Sequence, residues 1–102
     1  MTEYCIATNV LEAIVRGSLE GDERLRFHAP LPLMRSRPIE IAVEGDSCRA
    51  TLHMDARLGE YLPALATVAR EKAADALGGM TGLTVSAVDV IFAGVFPVKA
   101  RP

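Results

Sequence analysis

The sequence has no hydrophobic run that approaches the roughly 20 residues a membrane-spanning helix needs. Its first residues, MTEYCI, carry no basic cluster and do not resemble a secretory signal peptide. We therefore expect a cytoplasmic protein that does not insert directly into a membrane. The small net charge of -2 also argues against nucleic acid as a partner, because nucleic-acid-binding domains are usually basic.

Cysteine is scarce as well, and the two cysteines form neither a CxxC pair nor any spacing typical of zinc sites. We predict that Cys5 and Cys48 are buried, reduced thiols that behave as small hydrophobic side chains. His28, His53 and Asp55 are the remaining candidate metal ligands. Cys48 has the opposite strand phase from His53 and Asp55, which leaves too few convergent ligands for a closed zinc site. The sequence predicts no bound metal and no cofactor.

Signs of a catalytic nucleophile are also missing. None of the serines lies in an elbow motif, and Cys5 has no identifiable base partner. We predict that the chain is not an enzyme. The serines considered are Ser18, Ser36, Ser47 and Ser86.

The composition is that of a globular domain. Of the 102 residues, 50% are hydrophobic and 24% are charged, a balance that disordered chains do not have. This length accommodates one domain, residues 1–102, and we expect residues 97–102 to form a short C-terminal tail.

The periodicity of apolar residues predicts the order β-α-β-β-β-α-β. Its first strand rests only on residues 3–7. Two helices packed on one face of a small, mostly antiparallel sheet would bury these apolar stripes, which is an α+β fold. The first predicted helix opens with a capping box of Asn9 and Glu12 and is followed by Gly21 in a left-handed conformation. A strand at residues 24–28 and a hairpin at residues 39–55, with its turn at Gly45, come next. The second helix starts near Pro63 and ends at Gly78 and Gly79, and the last strand covers residues 83–96.

The apolar stripes also predict a core. It joins residues of both helices, the hairpin and the last strand: Leu11, Ile14, Val15, Ile41, Leu52, Leu65, Ala69, Ala73, Val85 and Val90.

The last strand is unusual because it has apolar residues in both phases. Its inward phase shifts near residues 86–88, which predicts a β-bulge there. The outward apolar residues Ile91, Ala93 and Val95 are then a candidate association surface. The proline-rich apolar loop that contains Leu31, Leu33 and Met34 is a second candidate.

Two patterns keep nucleic acid and anions open as alternatives. Residues 79–82 read Gly-Met-Thr-Gly, a GxxG like that of KH domains, although no lysine or arginine lies within it. Arginines 24, 26, 35, 37 and 49 could form an anion-binding patch, although Glu40, Glu44 and Asp55 should lie among them and favour a solvated, salt-bridged face.

Residues 58–95 resemble the alkaline-shock-protein family of bacterial envelope stress-response proteins. The family has a glycine before an amphipathic helix, followed by M-T-G-hydrophobic-x-V-x-x-V-N-V. Asp89 stands here where the family's asparagine is usual. The positions that match are Gly59, Met80, Thr81, Gly82, Leu83, Val85, Val88 and Val90.

This resemblance implies a small non-enzymatic domain in the bacterial cytoplasm near the membrane, often self-associating and linked to envelope stress. We therefore expect a non-catalytic interaction or scaffold domain. Its partner is a second copy of itself, as a homo-oligomer, or a membrane-anchored protein. The alternatives are a KH-like or ferredoxin-like nucleic-acid-binding module and a small regulatory ligand-binding domain.

Overall fold

A computed structural model describes residues 5–29 and 37–98, which form two helices and four strands. The fold is α+β, as predicted. In chain order the elements are α1 (Thr8–Leu19), β1 (Leu25–Phe27), β2 (Ile39–Glu44), β3 (Ser47–Arg57), α2 (Leu62–Thr81) and β4 (Thr84–Phe96).

The sheet is organised around β3. Strands β1 and β2 pair antiparallel with successive parts of β3, at Met54–Ala56 and Ser47–Leu52 respectively. Strand β4 pairs parallel with β3 along its whole length. Strands β3 and β4 are joined by a long helix and not by a tight turn, and a connection of this length is what parallel pairing requires.

The structure describes residues 5–7 of the predicted first strand, and these residues do not form a strand. Cys5–Ala7 lead directly into α1, while residues 3 and 4 lie outside the described residues. Without a strand to place it in the core, Cys5 is exposed, so its predicted burial is wrong, whereas Cys48 is buried.

The ends of α1 differ from the prediction. The helix is capped by Ala7, which makes no side-chain cap hydrogen bond, so the capping box of Asn9 and Glu12 is wrong. Gly21 does not have a positive φ either. Leu11, Val15 and Leu19 are nevertheless buried at helical spacing, which shows that tertiary packing of one face places this helix.

The hairpin between β2 and β3 is confirmed, with Gly45 at φ 61° in its turn. Side chains of β3 alternate strictly between a buried and a more exposed face. The buried positions are Cys48, Ala50, Leu52, Met54 and Ala56.

Helix α2 begins with proline in its first turn, as predicted, but it runs past Gly78 and Gly79 to Thr81. Glycine inside a helix costs only about 1 kcal/mol, and the burial of Leu77 and Thr81 offsets that cost. The helix ends at Gly82, which has φ 74° and whose N–H bonds the carbonyl of Gly78.

The core lies between the two helices and one face of the sheet. Of the predicted core residues, Leu11, Val15, Leu52, Leu65, Ala69 and Ala73 are buried. Ile14, Ile41, Val85 and Val90 are partly buried against them. Neither helix in the described part of the chain is long and apolar enough to cross a membrane.

Leu65→Ala should lower the free energy of unfolding by about 2–5 kcal/mol, because this side chain is 2% exposed and its removal leaves a cavity. Urea unfolding followed by circular dichroism measures the loss. Leu62→Ala, one turn earlier and 38% exposed, is the matched control and should cost much less. A loss below about 0.5 kcal/mol for Leu65→Ala would show that this helix face does not hold the core together.

Candidate interaction surface

Strand β4 follows β3 with two interruptions of register. The first lies between Cys48 and Arg49 on β3 and leaves Ser86 as the extra residue, which confirms the predicted bulge. The second lies between Met54 and Asp55 and leaves Ala93 as the extra residue; it was not predicted. Each bulge reverses which face the following side chains occupy.

The second bulge separates the residues of the predicted association surface. Ile91 lies opposite His53, on the outer face that points away from the helices, and is 46% exposed. Val95 is 60% exposed but lies opposite Ala56, in the helix-facing phase. The assignment of Ile91, Ala93 and Val95 to one face is therefore wrong, because the extra residue at Ala93 shifts the phase.

The same phase shift brings Phe96 to the outer face, opposite Arg57. The guanidinium of Arg26 lies 3.9 Å from the centre of the Phe96 ring and covers it, so that Phe96 is only 9% exposed. This cation–π contact ties β1 to β4 across the end of β3. The sequence pattern does not indicate this contact, because Phe96 is the last residue of the strand and the pattern does not assign its side chain to either face of the sheet.

The outer face also holds two contacts between histidines and carboxylates. Nδ1 of His28 is 2.8 Å from Oδ1 of Asp55, and Nε2 of His53 is 3.6 Å from Oε2 of Glu40. Asp55 lies against Gly94, where an added Cβ would stand 2.9 Å from its Oδ1. These contacts link neighbouring strands of the sheet.

A histidine beside an aspartate is also part of many hydrolase sites, but such sites need a nucleophile. Within the described residues, no hydroxyl or thiol group hydrogen-bonds to either histidine. Burial raises the pKa of the Cys48 thiol, which favours its neutral form. The arrangement therefore supports strand pairing.

Of the arginines in the candidate anion patch, Arg35 lies outside the described residues, and three of the other four have separate partners. Arg24 binds Asp22, Arg26 stacks on Phe96 and Arg37 lies 3.4 Å from Glu12. Arg49 is exposed on the outer face, where Glu40 and Glu44 of β2 are also exposed. These contacts favour the salt-bridged alternative over a shared anion site.

The most perturbed carboxylate is Asp22, in the turn between α1 and β1. It is 8% exposed and accepts hydrogen bonds from the backbone N–H and the guanidinium of Arg24 and from Nζ of Lys72. The Arg24 guanidinium, helped by the other donors, holds the pKa of Asp22 well below its usual range despite burial. Since Lys72 belongs to α2, the contact joins the turn to the second helix.

Asp22 borders an open cleft of about 410 Å³ lined by charged side chains. The cations beside it already have partners: Arg24 and Lys72 bind Asp22, and Arg57 binds Glu60 at 2.9 Å. The cleft is therefore best explained as a structural ion-pair network. Residues 22 and 72 are far apart in sequence, and no local pattern connects them.

A second surface is apolar. The groove between α1 and α2 has a volume of about 450 Å³ and lies on the side of the helices away from the sheet. It is lined by Val10, Ala13, Ile14, Gly17, Ser18, Ala76 and Met80. Small residues on both helices leave this depression, and Met80 is 73% exposed at its border.

The motif residues of the family resemblance have clear local roles. Gly59 and Gly82 have φ of 98° and 74°, before and after α2. Oγ1 of Thr81 donates to the carbonyl of Leu77 and accepts from the N–H of Leu83. Val85, Val88 and Val90 follow on β4 and pack against the core. The GxxG therefore closes a helix and is not an exposed loop of the KH type.

Leu31, Leu33 and Met34, the second predicted surface, lie outside the described residues. Comparison of the chain with models of protein families, with curated proteins and with solved structures gives no match.

Stability at low pH should depend on Asp22. Because its pKa is lowered in the folded protein, its contribution is complete above the ordinary carboxyl pKa near 3.8 and is lost as pH falls through the folded pKa. Asp22→Asn should cost about 1–3 kcal/mol at pH 7, and the difference from wild type should shrink below about pH 4. Urea unfolding at several pH values measures it. Glu71→Gln, exposed on α2, is the control and should change little; an equal loss at pH 7 and pH 2 would contradict the assignment.

Protein purified without chelator should contain less than stoichiometric zinc or iron. Among the described residues, no three His, Cys, Asp or Glu side chains converge as a metal site requires. Elemental analysis of the purified protein tests this. Stoichiometric metal that disappears in His53→Ala would overturn it.

Proposed function

We propose that the chain is a non-catalytic protein-interaction domain and that β4 is its main contact element. The observation that carries the proposal is the composition of this edge strand. Strand β4 has 13 residues and pairs with β3 alone among the described strands, yet Asp89 is its only ionisable residue. Natural proteins usually protect long edge strands with charges, proline or bulges, and between its two bulges β4 leaves a regular stretch, residues 87–92, with this one charge.

Ile91 adds an exposed apolar side chain to a face that is mostly polar. Two polar side chains near it on that face already have partners: His53, opposite Ile91, lies 3.6 Å from Glu40, and Asp55 lies 2.8 Å from His28. Ile91 has none of this kind and is 46% exposed. Burying an isoleucine side chain contributes about 1.5–3 kcal/mol, so a partner covering this part of β4 would gain measurable affinity.

The biological setting of the proposal comes from the family resemblance. The motif that includes Gly59, Met80, Thr81 and Gly82 supports a cytoplasmic scaffold of the bacterial envelope stress response. Such a domain would be near the membrane through a protein partner. The surface of such a domain would bind a protein partner and would not catalyse a reaction.

Ile91→Asp tests the proposal, because a charge buried against a partner would be costly. Wild-type and variant protein are immobilised and exposed to lysate of the cells that produce the chain, in parallel with and without nuclease treatment. We expect the wild type to retain a protein at near-stoichiometric amounts. Ile91→Asp should retain at least ten-fold less of that protein.

Thr84→Asp is the matched control, since it adds the same charge to an exposed position on the same strand and the same face, before the first bulge. It should retain the partner. Circular dichroism must show that both variants are folded. Equal retention by wild type and Ile91→Asp would contradict the proposal, and retention that nuclease abolishes would favour a nucleic-acid-binding function.

A further inference from the structure

We propose that β4 pairs antiparallel with β4 of a second copy of this chain, around a two-fold axis at Val90. This inference rests on the proposed function and names the partner and the register. It follows from the backbone groups that β4 leaves unpaired, from its two bulges and from the position of its one charge.

The hydrogen bonds of β3 determine which backbone groups of β4 are open. The N–H of His53 bonds Pro38 and its carbonyl accepts from His28, while the N–H of Arg57 bonds Arg24. The odd-numbered residues of β3 therefore bond β1 and β2, and the even-numbered residues bond β4, as the bond from Leu58 to Phe96 shows.

In a parallel pair, a residue bonds to the two neighbours of the residue opposite it. Leu52 lies opposite Val90 and so bonds Asp89 and Ile91. The same rule applies to Ala50 opposite Val88 and to Met54 opposite Phe92. The N–H and C=O groups of Val88, Val90 and Phe92 consequently point away from β3, toward the open edge.

The two bulges limit where a further strand can pair. Ser86 and Ala93 are the extra residues, so residues 87–92 form the longest uninterrupted ladder. A two-fold axis at Val90 uses all three outward-directed residues in this window: Val90 exchanges two bonds with its copy, and Val88 exchanges two with Phe92. An axis at Asp89 or at Ile91 would leave one of the three without its partner.

The side chains also argue against one of the alternative registers. An axis at Asp89 would place two aspartates opposite each other, which is unfavourable. With the axis at Val90, Asp89 lies opposite Ile91 of the copy on the outer face. On the helix-facing side Val88 lies opposite Phe92, so that the apolar layer continues into the second copy.

Charge also separates this arrangement from a head-to-tail one. Strand β2 presents Glu40 and Glu44, so pairing of β4 with β2 of another copy would bring Asp89 toward like charges. Pairing of β4 with itself closes after two copies and leaves no further edge of this kind.

Cysteine crosslinking reads the register directly. The experiment uses a Cys5→Ser background, which removes the exposed native thiol. Two variants are made in it, Asp89→Cys and Ile91→Cys. Each variant alone, and an equal mixture of the two, is then oxidised mildly. Opposed residues that do not exchange hydrogen bonds have Cα atoms about 4.5 Å apart, a distance that allows a disulfide. We expect the mixture to crosslink at least five-fold faster than either variant alone.

Arg49→Cys is the control for random collision, because residue 49 is exposed on the same face but lies on the inner strand β3. Faster crosslinking of Asp89→Cys alone or Ile91→Cys alone would overturn the register. Rates equal to that of Arg49→Cys in all three samples would overturn self-pairing, while lysate capture through Ile91 would still stand.

Hydrogen exchange of the unmodified protein gives a test that needs no variant. Dimerisation should protect the amides of Val88, Val90 and Phe92 from exchange in a concentration-dependent way, because these N–H groups are unpaired in the monomer and hydrogen-bonded in the dimer. The amides of Asp89 and Ile91 bond β3 in either state and should not change. Fast exchange at Val90 at every concentration up to 1 mM would contradict the proposal.

Discussion

Every other strand of this domain depends on β3 for its hydrogen bonds. Its odd-numbered residues bond β1 and β2, and its even-numbered residues bond β4. The side chains of the even-numbered residues, including Leu52 and Met54, also form the side of the core that the sheet contributes. One strict alternation therefore decides both which way the sheet faces and where each neighbouring strand attaches.

The alternation of β3 is also what made the sequence informative. A strand with polar residues at every second position has only one face to bury, so the hairpin, the Gly45 turn and most core residues could be predicted. The first bulge could be predicted too, because the buried phase of β4 changes visibly there. The second could not: residues 92–95 are apolar or glycine in both phases, so a shift leaves no trace in the pattern.

Helix ends and long-range contacts escaped prediction for other reasons. Gly78 and Gly79 looked like a stop, but glycine only weakens a helix, and packing of Leu77 outweighs this. The contact between Asp22 and Lys72 joins residues that no local rule relates. Of the candidate surface, exposure of Ile91 could be read from the sequence. The open edge could not, because strand order is a property of the whole sheet.

The parallel pairing of β3 with β4 orders the way this chain can fold. The β2–β3 hairpin closes over two turn residues, whereas β4 reaches β3 only after the 20 residues of α2 have been spanned. Loop closure makes such non-local pairing slower than a hairpin. We infer that β4 docks last and that the edge of β3 is uncovered until then. In that order of folding, the sheet closes only once the whole of β4 is available, and a chain truncated within β4 would leave the edge of β3 open to pairing with other chains.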